Sequence, residues 1–159
     1  MSSISGASPM CRAPTPCSRE GAVTDGANII AAARRWIGTP WRHQGRSASG
    51  VDCVGLLVMI ARELGLSVKD ETGYRRRQDG RRLFDILSRE LQLSAITNWK
   101  NGDIGLFKEC GFPVHVGFLA REDTTETVIH AHARRRQVVE EPLAVYGAPV
   151  AVFSLKEQD

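Results

Sequence analysis

Hydrophobic and polar positions divide the chain into a helical first half and a strand-rich second half. Apolar residues at 29, 30, 33 and 36 or 37 recur at helical spacing, with Asp25 placed to cap the start and Gly38 to stop the run. This spacing predicts a helix from near Asp25 to Trp36, followed by an extended exit at Thr39-Pro40. "WRHQGRSASG" reads as a polar loop. A second helix is predicted from Asp52 or Cys53 to Leu64, stopped by Gly65. Val54, Leu56, Leu57, Val58, Met59 and Ile60 wrap all its faces, as in a buried central helix. Residues 66–81 are polar and arginine-rich and read as an irregular excursion, and a third helix fits Leu83–Leu91.

Beyond residue 100 the period changes to two. "NGDIGLF" reads as a turn and strand, with Asp103 supporting the turn. "VHVGFLA" and "TVIHAHA" alternate, joined by "REDTTE" as a hairpin loop, and "QVVEEP" and "PVAVFSL" complete about five strands. Helices first and an antiparallel meander last predict an α+β fold, with the sheet packed on the central helix. Residues 1–24, rich in Ser, Pro, Gly and Ala, read as a flexible N-terminal arm, and residues 25–157 as one domain.

Composition narrows the function classes. The chain has 159 residues and a net charge of +3, which does not call for a nucleic-acid partner. The arginine clusters at 75–77, 81–82 and 134–136 read as solvated faces and loops. No apolar run reaches the length of a membrane span, and the N-terminus lacks the order of a secretory signal. The expectation is a protein made in a cytoplasm. Four irregularly spaced cysteines do not form a disulfide framework.

The chemistry candidates begin with Cys53, in the first turn of the buried helix. A helix N-terminus stabilises a thiolate, so the thiol pKa is expected to fall. Val114, Val116 and Phe118 share one face of their strand, and His115, Gly117 and Leu119 the other. His115 is near enough to the strand start to serve as base for Cys53, with Gly117 leaving room beside the imidazole. His130 and His132 share a face of the next strand, and either could orient His115. The rival use of these residues is a metal site. No C-x-x-C or H-x-x-x-H spacing supports it, so neither a metal nor another cofactor is expected. His43 is a loop residue that could touch substrate, and Cys110 reads as a loop cysteine without function.

"GTPWRHQGRSASGVDCVGLL", "NGDIGLF", "VHVGFLA" and "VIHAHA", in this order, resemble the NlpC-type cell-wall peptidases, papain-like cysteine enzymes of bacteria and their phages. The form "TPWRHQGRS…GVDCVGL" is similar to the phage tail-associated branch. The resemblance spans roughly residues 27–155. It implies Cys53 as nucleophile, His115 as base and His130 as the polar third residue, with His132 as the fallback. It also implies Asp52 as a cleft acid able to meet a substrate amine. Trp41 stands where the family usually has an oxyanion-site tyrosine, and Val54 replaces a common serine. The implied activity is amide hydrolysis in peptidoglycan stem peptides. The implied partners are that substrate and tail hub or tail-tip proteins, and the implied location is a tail particle acting in the cell envelope. Two rivals keep the same residues: a structural tail-tip component with little turnover, and a transferase whose acyl-enzyme is captured by an amine.

Overall fold

The computed structural model describes residues 25–75 and 80–155. The arm expected over residues 1–24 lies outside them. The first helix, α1, spans Gly26–Arg35, capped by the Asp25 side chain, which accepts from the Asn28 N–H at 2.8 Å. Ile29, Ile30, Ala32 and Ala33 form its buried face. The polar loop after Pro40 contains a small hairpin, β1 (Arg46–Ser47) and β2 (Gly50–Val51), which the sequence pattern did not predict.

The second helix, α2 (Cys53–Glu63), starts as predicted, with Asp52 as N-cap and a left-handed Gly65 just past its end. It buries residues on every side: Gly55, Leu56, Leu57, Val58, Ile60 and Ala61. Gly55 is required where α2 meets the hairpin, since a Cβ there would lie 2.1 Å from the Gly45 carbonyl oxygen. The excursion after Gly65 carries no regular structure over its described residues, and α3 follows at Arg81–Glu90. Only Leu87 of α3 is fully buried.

The strands are β3 (Gln92–Ser94), β4 (Ile104–Glu109), β5 (Phe112–Glu122), β6 (Thr125–His132), β7 (Gln137–Pro142) and β8 (Ala151–Ser154). They form one antiparallel sheet in the order β3-β8-β4-β5-β6-β7. The expected five strands are therefore six. The addition, β3, is three residues long and too short to show a period. The turn at Ile96–Asn98 and the one-turn helix α4 (Leu143–Tyr146) were also not predicted.

The two faces of the sheet bury different clusters. Ile104, Leu106, Val116, Phe118, Ala120, Ile129 and Ala131 pack with α1 and α2 in the main core. Phe107, Leu119, Val128 and Val152 pack with Trp99 and Leu143 on the opposite face, where Tyr146 closes the cluster. Alternation therefore places His115, His130 and His132 on the Tyr146 side of the sheet, away from the body of α2.

Candidate active site

Asp52 fixes the start of α2 and hence the position of Cys53. Asp52 is only 4% exposed, and its carboxylate accepts four protein donors. Oδ1 takes the Gly55 N–H at 2.8 Å and an Arg46 guanidinium N–H at 3.2 Å. Oδ2 takes the Gln44 N–H at 2.7 Å and the Tyr74 hydroxyl at 2.6 Å. An ionised carboxyl offers about four acceptor positions, so these donors use its capacity. The resemblance gave Asp52 to a substrate amine, whereas the structure gives it to the protein. His43 lies nearby, with Nδ1 4.0 Å from Asp52 Oδ2 and its ring facing Trp41 and Tyr74.

Cys53 occupies the first helical position of α2 and is partly buried. Its thiol is pushed up to about 12, first by burial and then by the Asp52 carboxylate; the backbone amides of Val116 and Val54 offset part of this. The expected lowering is overturned. Asp52, the acid that caps the helix, opposes the positive end that would have favoured a thiolate.

His115 is buried, and its Nε2 lies 2.6 Å from His130 Nδ1. His130, wholly buried, reaches Glu141 through Nε2 at 3.3 Å, and Glu141 accepts from Arg135 at 2.8 Å. A chain of contacts thus runs from His115 to the surface. Of the two histidines the sequence left open, His130 contacts His115 through a nitrogen pair, whereas His132 meets it only ring to ring. His132 Nε2 instead lies 3.6 Å from Glu109 Oε1, while its Nδ1 is buried without a hydrogen-bond partner. Burial lowers the pKa of His115 well below the ordinary imidazole value, and the neighbouring His130 and His132 lower it further. Burial also brings His130 down to about 4, with His132 adding to the effect and Glu141 opposing it. The resting site therefore favours a neutral thiol and a neutral imidazole on the walls of one cavity.

Gly117 leaves room, but not beside the His115 ring as expected. A Cβ at 117 would lie 2.5 Å from Val128 Cγ2 and 3.0 Å from His130 Cβ. The missing side chain lets β6 bring His130 against His115. Asp103 supports its turn as read, accepting the Lys100 N–H at 2.8 Å.

Three residues escaped the sequence reading. Tyr146 donates to Glu109 Oε1 at 2.7 Å, and its ring packs against those of His115, His130 and His132. Glu109 Oε1 also lies 4.0 Å from His115 Nδ1. Glu141 is the third. None of them carries a periodic signal, although the Cys110-Gly111 turn, with both φ angles positive, could have marked Glu109 as a strand end.

Cys53 and His115 line one cavity of about 890 Å³. Trp41, His43, Asp52, Val54, Glu109, Cys110 and His132 also contribute to its walls. No cluster of three or more metal-ligating side chains occurs among the described residues.

A helix-borne cysteine and a strand-borne histidine thus line one cavity, with a buried second histidine behind the first. The chain belongs to the NlpC/P60 family, whose model matches residues 38–148. The fold is similar to the NlpC/p60 domain of the peptidoglycan hydrolase SagA, at 24% identity and a TM-score of 0.61, over 82% of this chain and 99% of that one. It is similar to an NlpC/P60 family protein from Bacillus cereus at 22% identity and a TM-score of 0.61, over 80% of this chain and 39% of that one. It also resembles the peptidoglycan hydrolase RipB from Mycobacterium tuberculosis at 20% identity and a TM-score of 0.56, over 84% of this chain and 65% of that one. The chain thus spans well under half of the Bacillus protein. A comparison with curated protein sequences found no match. No helix among the described residues is long and apolar enough to cross a membrane.

Proposed function

We propose that this protein is a cysteine peptidase that hydrolyses amide bonds in peptidoglycan stem peptides. The observation that carries the reading is the His115 Nε2 to His130 Nδ1 contact of 2.6 Å at a cavity shared with Cys53. With Nε2 engaged, Nδ1 is the nitrogen left for the thiol. Because the resting pair is neutral, His115 acts as a general base when substrate is in place. The thiol proton moves to His115 Nδ1 as sulfur attacks the carbonyl carbon. The oxyanion is held by the Cys53 backbone N–H at the helix start, assisted by the Trp41 indole N–H. The imidazolium then protonates the leaving amine. The resulting thioester is hydrolysed by a water that His115 deprotonates, releasing a carboxylate and restoring the thiol. His130 holds the His115 ring and its tautomer throughout.

The family resemblance favours the bond between D-glutamate and the diamino acid. It also favours a place in a phage tail or tail-like particle, supported by the "TPWRHQGRS…GVDCVGL" motif. The test is purified protein on soluble muropeptides, with products separated by mass. Cys53→Ala and His115→Ala should each abolish cleavage, and a chelator should leave it intact. Cleavage by Cys53→Ala protein would overturn the assignment. Detection of the protein in purified tail particles tests the location.

A further inference from the structure

The acids and bases around the cavity are unequally satisfied. Four carboxylates line it: Asp52, Glu71, Glu90 and Glu109. All four are held by the protein itself. Asp52 has the four donors described above. Glu71 pairs with Arg82 and Arg89. Glu90 accepts from the Lys69 N–H and from Arg89, each at 3.1 Å. Glu109 accepts from Tyr146 at 2.7 Å. The cations on the same walls are Lys69, Arg75 and Arg134. Among the described residues, Lys69 interacts electrostatically with Glu90, whereas Arg75 and Arg134 form no ion pair.

Arg134 is the best placed of them. It lies two residues after His132 in the turn between β6 and β7, and it shares the cavity with Cys53 and His115. The next residue, Arg135, is taken up by Glu141, whereas Arg134 lines the cavity. A guanidinium offers a fork of donors that matches a carboxylate with two parallel hydrogen bonds.

We propose that Arg134 is a specificity-determining residue that binds a carboxylate of the substrate, so that stem peptides with a free carboxylate beside the scissile amide are preferred over their carboxamide forms. This inference rests on the peptidase reading and names the substrate class within it. Arg75 and Lys69 extend the positive wall and make the preference sensitive to salt.

The experiment uses a matched pair of muropeptides that differ only at the D-glutamate α-carboxyl, free in one and amidated in the other. The full chain should cleave the free form with kcat/KM about tenfold higher, the size of one charge-assisted hydrogen bond at a partly exposed site. Arg134→Ala should bring the ratio close to one, and Arg134→Lys should retain part of it. Arg42→Gln, which removes an arginine outside the cavity, should leave the ratio unchanged. Calorimetric binding of the same pair to Cys53→Ala protein should show the same preference without turnover. Equal rates on both peptides, or a preference that survives Arg134→Ala, would overturn the assignment of Arg134 while leaving the peptidase reading in place. Failure of both peptides to bind Cys53→Ala protein would overturn it as well.

Discussion

Acid should destabilise this protein through His130 before it titrates most of the carboxylates. His130 is wholly buried, and burial together with His132 brings it down to about 4 from an ordinary 6.5. The folded state therefore resists protonation at a site where the unfolded chain accepts it freely. Between pH 6.5 and 4 the unfolded state binds more protons, so stability falls as pH falls through this window. Linkage over this difference gives a loss of about 2.5 kcal/mol by pH 4.5, rising to roughly 3.5 kcal/mol below pH 4. Above pH 7 both states are neutral at this site and the effect vanishes. Urea unfolding at pH 7.5, 6, 5 and 4.5, followed by far-UV circular dichroism, reads the change. With a slope of about 2 kcal/mol/M, the wild-type midpoint should lose about 1 M through this residue alone. His130→Asn keeps a polar group near His115 but removes the titrating ring, so its curve should be flatter by that amount. His115 is depressed in the same direction and continues to contribute in both proteins. Parallel pH profiles for wild type and His130→Asn would refute the reasoning, since they would mean that His130 is protonated equally in the folded and unfolded states.

Four other outcomes follow from the same geometry. Glu109→Gln removes the carboxylate 4.0 Å from His115 Nδ1, and because Glu109 is 40% exposed on its side chain the screened loss should be only about 1 kcal/mol. Stopped assays on muropeptides should show kcat down several-fold; an unchanged rate would remove Glu109 from the site's electrostatics. Gly117→Ala places a Cβ 2.5 Å from Val128 Cγ2, which should cost about 2 kcal/mol in thermal unfolding and lower activity by displacing His130; a neutral effect would mean that β6 shifts freely. Asp52→Ala uncaps α2, removes the acceptor of the Tyr74 hydroxyl and takes one partner from Arg46, which keeps Asp70, for a loss of about 2 kcal/mol in urea unfolding; a loss below 1 kcal/mol would show that water replaces those contacts. Finally, Cys53, its thiol pushed up to about 12, should alkylate with iodoacetamide at pH 8 well over tenfold more slowly than the exposed Cys110; faster labelling of Cys53 would mean a resting thiolate.

Much of the scaffold was legible along the chain because its signals are local. A helix cap needs only Asp25 followed by the right spacing, and that cap appears where the spacing places it, as does the start of α2 at Cys53. The all-apolar surface of α2 announced a central helix, and period-two alternation announced β4 to β8. Cys53, His115 and the pair His130 and His132 stood out as candidate chemistry because residue type, strand parity and motif order agreed. Short elements were not legible, since the residues of β3, α4 and the β1-β2 hairpin are too few to repeat a pattern.

Tertiary structure decided what those residues do to one another. Only the folded chain shows that His130, and not His132, meets His115 through a nitrogen pair, because strand parity makes the two equivalent along the sequence. Only the fold shows that Asp52 is consumed by Gln44, Arg46, Gly55 and Tyr74, and that it pushes the thiol up where a bare helix end would draw it down. The physical reason is common to both cases. Spacing along a chain fixes which direction a side chain points, whereas proton affinities and hydrogen-bond partners depend on burial and on charges that arrive from distant segments.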